Sequence, residues 1–187
     1  MENRRCHIIV DMLNDFISGP MACQNAENAM THILNYVNLH PEDPLFYVCD
    51  THPAKHCSFV RNGGLWPDHC VRNTRGQEIH LGFYTRVTDP EKRPHLSRIY
   101  RKGMDPDKEQ YSAVEAVRYD GTLLKDVVDK SVIVSGLATE YCVLETVKDL
   151  VAAEFDVQVL LEGLGYVTLK DHKAALETMK TLGVKFV

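Results

Sequence analysis

The segments Asp50-Thr51-His52 and Trp66-Pro67-Asp68-His69-Cys70 set one carboxylate and two imidazoles on either side of a loop carrying Gly63-Gly64. That donor set suits a divalent ion such as Zn²⁺, Mn²⁺ or Fe²⁺, with positions left for water or a small molecule. The competing reading is a strand-end Asp and two loop histidines with no ion, since Asp-x-His is a short pattern. A thiol supplies a second kind of chemistry. Residues 135–142 pass from an apolar run through a tight turn into a predicted helix, with Thr139 as the expected N-cap and Cys142 in the first turn. Unpaired N–H groups and the helix dipole there favour thiolate and can hold a developing oxyanion. A buried structural cysteine is the ordinary alternative. A nucleophilic thiol needs a proton acceptor and a charge partner. Asp11 and Lys102, each ending a predicted strand, are the candidates. Asp11 would take the thiol proton and deliver it to the leaving group, while Lys102 would favour ionised Asp11 and the thiolate.

Short apolar runs alternate with helical periodicity along the chain. Strands are predicted at 7–10, 45–49, 98–101, 132–134, 157–161 and 184–187. Helices are predicted at 25–37 with Asn25 as cap, 139–153, and 169–182 closed by Gly183, with a shorter one at 121–128. Residues 51–97 form a long polar loop rich in Pro, Gly and Arg, and a loop of that length is usually functional. Helices between apolar strands imply parallel βαβ units and a three-layer α/β/α sandwich. Ligands of such sheets bind beyond the carboxyl ends of the strands. Asp11, Asp50, His52, Lys102 and Cys142 all fall there.

The chain of 187 residues is enough for one domain over 1–187. A net charge of −5 argues against a nucleic-acid partner. No apolar run reaches membrane-span length, so no membrane partner is expected. The charged start runs directly into Cys6-His7-Ile8-Ile9-Val10, which predicts no secretory leader and a cytoplasmic location. The six cysteines are then expected to stay reduced. They include no Cys-x-x-Cys pair, which argues against a thiolate zinc site or a thioredoxin-like centre.

Taken in order, Asp11-Met12-Leu13-Asn14-Asp15-Phe16, residues 50–59, Trp66-Pro67-Asp68-His69-Cys70, Lys102-Gly103, Tyr111-Ser112-Ala113 and residues 136–143 resemble the nicotinamidases, members of the isochorismatase-like cysteine hydrolases. The resemblance implies a mainly parallel sheet of about six strands. It also implies hydrolysis of nicotinamide to nicotinate and ammonia through a cysteine thioester, in NAD salvage. Another small amide or an N-carbamoyl compound is the alternative substrate. It assigns Asp11, Lys102 and Cys142 to catalysis and the backbone N–H groups of Ala138 and Cys142 to an oxyanion hole. Asp50, His52 and His69 would hold one divalent metal ion, zinc first and manganese or iron as alternatives, which binds the substrate's ring nitrogen. Phe16, Trp66, Tyr111 and Tyr141 would surround the ring. His56 and Ser58 fall behind the ligands as supporting groups. A cis peptide before Ala138 and a homo-oligomer are further implications. The chain departs from the family pattern at Leu13, where Gln is common, at Thr51, where an aromatic is common, and at Glu140, where Asp is common.

Overall fold

The run Cys6–Val10, apolar except for His7, forms strand β1, and all five of its residues are buried. A strand with no solvent face needs cover on both sides, as in a parallel sheet between helical layers. A computed structural model of the chain, describing residues 5–187, has that arrangement. β2 (Leu45–Asp50), β3 (Ile99–Lys102), β4 (Ser131–Gly136), β5 (Asp156–Leu164) and β6 (Lys185–Phe186) complete a six-stranded sheet. Its order is β3-β2-β1-β4-β5-β6 and every neighbouring pair is parallel.

Alternate residues of the central strands feed two cores, because successive side chains of a strand point to opposite faces. Ile9 and Ile133 join the core beneath α1 (Asn14–Ile17), α2 (Ala26–Leu39) and α3 (Gly82–Thr85). Ile8, Val10, Val132 and Val134 join the core beneath α4 (Leu144–Ala152) and α5 (Leu169–Thr181). α2 buries Ala29, Met30, Ile33, Leu34 and Val37, the i, i+3, i+4 stripe of a helix with one wet face. Each large apolar side chain so buried contributes roughly 1.5–3 kcal/mol.

The strand order reverses between β1 and β4, which opens a crevice at their carboxyl ends. The two ends approach so closely that a Cβ at Gly136 would stand 1.9 Å from the Val10 carbonyl oxygen, and Gly136 has φ +122°. Only glycine tolerates both conditions.

Several predicted features change. Asn25 precedes α2 in the left-handed region (φ 63°), and its side-chain amide donates to the Leu164 carbonyl at 2.9 Å instead of capping. The helix predicted at 121–128 reduces to a 3₁₀ turn, Leu124–Asp126, because the segment folds back through a Val117–Leu123 bridge with Gly121 at φ 86°. β5 runs past residue 161 to Leu164, which pairs with Gly136 after a register shift. Among the described residues no helix is long and apolar enough to cross a membrane.

Candidate active site

Three strand ends and the turn that follows β4 meet at one fully buried ammonium. Asp11 follows β1 in a left-handed turn (φ 51°), a conformation that costs a non-glycine residue on the order of 1 kcal/mol. That bend aims its carboxylate sideways, where Oδ1 accepts the Asp50 backbone N–H at 2.8 Å. Asp50 ends β2 and Lys102 ends β3, directly paired in register. Lys102 has no solvent exposure. Its Nζ donates to Asp50 Oδ1 at 2.5 Å and to Cys142 Sγ at 3.3 Å. It also lies 2.9 Å from Asp11 Oδ2, an ion pair without hydrogen-bond geometry.

Cys142 does not sit in an N-capped α-helix. Thr139–Val143 is a π-helical turn entered from Ala138 through a cis Leu137–Ala138 peptide, and α4 begins only at Leu144. The Thr139 hydroxyl, expected as the cap, instead donates to the Gly165 carbonyl at 2.8 Å. Tyr141 and Val143 N–H groups both donate to Ala138 O, the crowding that a π turn produces.

The electrostatics correct a second expectation. Burial is the largest influence on the Cys142 thiol and pushes it up; Lys102 opposes this, while Asp11 and Asp50 add to it. Together these influences favour the thiol over the thiolate. Burial and the neighbouring Asp50 charge raise the Asp11 carboxyl to about 6, against the pull of Lys102. Burial alone would raise Asp50 too, but Lys102 and His52 outweigh it and hold Asp50 well below the usual carboxylate range. Asp11 is thus the carboxylate of the pair that titrates near neutrality.

Asp50, His52 and His69 bring one ligand atom each to within 4.8 Å of one another, and all three are buried. His52 Nδ1 lies 2.9 Å from the Gly103 carbonyl, and His69 Nδ1 lies 2.8 Å from the Pro67 carbonyl. His52 Nε2 faces Asp50 Oδ2 at 3.5 Å. A carbonyl only accepts, so each Nδ1 carries a proton, which leaves Nε2 as the nitrogen available to a metal. This is the ligating tautomer, fixed by outer partners as metal sites require. The donor set therefore fits a divalent ion. His56 falls behind it: its ring lies 4.1 Å from that of His52, its Nδ1 meets Ser58 Oγ at 2.7 Å, and its Nε2 meets the Lys108 carbonyl at 3.2 Å. Both nitrogens are engaged, so His56 offers no free donor atom.

Between the thiol and His69 lies a cavity of about 30 Å³. The expected residues Phe16, Trp66, Tyr111, Tyr141 and Ala138 line it with Asp50, His69 and Cys142. Trp66 meets Tyr141 edge-on (5.1 Å between centroids), and Trp66 Nε1 donates to the Tyr111 hydroxyl at 3.1 Å. The result is a narrow aromatic slot. Its remaining wall, Met21, Cys23 and Val167, was not foreseen. Nor were two supports. Glu140 Oε1 accepts the N–H groups of Val167 and Thr168, both at 2.8 Å, and so fixes that wall through the backbone. Asp15 Oδ2 accepts the Cys70 N–H at 2.7 Å, where Cys70 itself is left-handed (φ 47°) directly after His69. The Asp11-to-Phe16 motif contained Asp15, but no local spacing ties it to residue 70.

The chain matches the isochorismatase domain model over residues 5–187 and belongs to that family. It is 29% identical over 192 residues to a nicotinamidase/pyrazinamidase of Mycobacterium tuberculosis, with 98% of each chain covered. The crystal structure of Pyrococcus horikoshii pyrazinamidase in complex with zinc superposes with a TM-score of 0.81 at 33% identity, covering 99% of each chain. A structure of PnC1 from L. infantum in complex with nicotinate gives a TM-score of 0.78 at 27% identity, covering 98% of this chain and 92% of that one.

Proposed function

We propose that the chain hydrolyses nicotinamide to nicotinate and ammonia, with Cys142 as nucleophile. The carrying observation is that one buried ammonium touches the sulfur, Asp11 and Asp50, while Asp50 also belongs to a metal-capable group on the same small cavity. The relatives' names and the nicotinate complex of one of them support the substrate. The slot's thinness and aromatic lining suit a flat six-membered ring.

In this reading the Cys142 thiol gives its proton to Asp11 as the sulfur bonds to the carboxamide carbon. The Ala138 and Cys142 N–H groups hold the oxyanion, typically the largest electrostatic contribution. The C–N bond then breaks, Asp11 returns the proton to nitrogen, and ammonia leaves a thioester. Water next attacks that carbon, again losing a proton to Asp11. The C–S bond breaks, and the sulfur recovers its proton as nicotinate departs. A group titrating near 6 suits this alternation of base and acid. Lys102 holds both carboxylates in place and balances their charge. A divalent ion on Asp50, His52 and His69 would anchor the ring nitrogen as a Lewis acid, and the zinc in the Pyrococcus horikoshii relative supports zinc for that place. Free thiols at Cys23, Cys49, Cys57, Cys70 and Cys142 support a reducing, cytoplasmic setting.

The test is ammonia release from nicotinamide by wild type and Cys142→Ala, with thermal unfolding as the folding control. Wild-type turnover and a loss on the order of 10³-fold or more in the variant are expected. A folded variant keeping most of the wild-type rate would remove Cys142 from this role.

A further inference from the structure

Asp11, Asp50 and Cys142 form a second group with metal-ligand character. One donor atom from each lies within 4.8 Å of the others, and all three residues are buried. Two carboxylates and a thiolate are a strong donor set for a thiophilic dication such as Zn²⁺ or Cd²⁺. Asp50 belongs to this group and to the Asp50-His52-His69 group alike, and its two oxygens are divided between them. Oδ1 faces Lys102 at 2.5 Å, and Oδ2 faces His52 Nε2 at 3.5 Å. A carboxylate shared in this way is how two-metal sites hold ions roughly 3.5–4 Å apart. Here the second cation is the chain's own ammonium. Lys102 Nζ occupies the middle of the sulfur-containing group, touching Asp50, Asp11 and Cys142 at 2.5, 2.9 and 3.3 Å.

We infer that Lys102 acts as a covalently tethered cation that keeps a second metal ion off the Cys142 sulfur and confines the ion to Asp50, His52 and His69. The inference rests on the metal reading proposed above. The two cations compete for one place. A metal there would bind sulfur as thiolate at about 2.3 Å, and a sulfur so bound is a ligand instead of a nucleophile. An ammonium contacts the same atoms at hydrogen-bond range and leaves the sulfur's reactive lone pair in place. It also cannot be lost to solvent or replaced by mass action, because its stem is part of β3. Removing the charge leaves two buried carboxylates without their counter-cation, and a dication is the obvious replacement.

Zinc-loaded wild type, Lys102→Met and Lys102→Gln are each titrated with cadmium, and bound metal is counted after gel filtration. Sulfur-to-cadmium charge transfer is followed in the ultraviolet. The same titrations on Cys142→Ser backgrounds subtract signal from the other cysteines. Wild type should hold one ion per chain and show no Cys142-dependent band. The Lys102 variants should hold two, gain the band as the thiol releases its proton, and be stabilised against heat by cadmium more than wild type. Lys102→Gln, with its amide donors retained, covers the case in which Lys102→Met does not fold. A Cys142-dependent band in wild type overturns the inference without recourse to any variant. So does a folded variant that binds only one ion. Wild type that holds no ion at all refutes the metal reading of Asp50, His52 and His69 instead, and the sulfur band still reports on Lys102 separately.

Discussion

Acid should weaken this fold through a single imidazole far from the chemistry. His7 is the second residue of β1 with 1% exposure, its Nε2 2.8 Å from Ser135 Oγ and its ring edge-on to Tyr36. Burial is the main reason its pKa falls from 6.5 to about 3, and the nearby His40 and Lys92 push the same way. The sign follows from which state takes up the proton. Below 6.5 the unfolded chain binds a proton that the folded chain refuses, so stability is full above 6.5 and is lost as pH falls from there toward about 3. The slope is about 1.4 kcal/mol per pH unit. Two units below the unfolded value, the loss traceable to His7 is about 2.7 kcal/mol. For a chain of this size that is roughly 5–10 °C in melting temperature. The assay is urea unfolding of wild type and His7→Gln across that interval. The variant keeps a polar side chain beside Ser135 but cannot titrate. The wild-type curve should fall more steeply by one proton's worth, so the two stabilities converge as the solution is acidified. Parallel curves would show that His7 is protonated in the folded state, and the burial argument would fail.

Two substitutions probe the supports of the histidine pair. Gly103 has φ 65°, and a Cβ there would stand 2.4 Å from His52 Cε1. Gly103→Ala should cost about 1–2 kcal/mol in backbone strain and swing His52 out of place, which zinc titration by calorimetry would read as lost affinity. Asp15→Ala frees the Cys70 N–H beside His69 and should weaken zinc binding about 10–100-fold, with little change in melting temperature of the metal-free protein. Unchanged affinity would show that the Asp15 contact does not hold His69.

Much of this arrangement was legible before any coordinates. The five buried positions of β1, apolar except for His7, and the runs at β2 and β4 have the signature of strands covered on both faces. Once those strands are parallel, Asp11, Asp50 and Lys102 must share one edge of the sheet. The lining aromatics followed from the family resemblance. What stayed hidden depends on contacts distant in sequence. Glu140 reaches Val167 and Thr168, Asp15 reaches Cys70, and Asn25 spends its amide on Leu164; no local period encodes such pairs. The state of the Cys142 thiol was misjudged for a related reason. Helix position argued for a lowered value, but burial, which is a property of the finished fold, dominates. Thr139 has the residue type of a cap, yet its hydroxyl donates to the Gly165 carbonyl and the turn is π-helical.

The grip of Glu140 on the chain at Val167 and Thr168 separates two things that are usually treated as one. Val167 contributes its side chain to the slot, but the position of that side chain is dictated by the length of an acidic arm anchored at Glu140, two residues from both Ala138 and Cys142 and inside the turn Thr139–Val143. Relatives carrying aspartate there would have an arm shorter by one methylene. Two enzymes with identical inward-facing residues can therefore differ in the breadth of the opening they offer a substituted ring. Sequence comparison confined to the lining would miss the difference, and selecting for altered ring tolerance would find useful changes outside it.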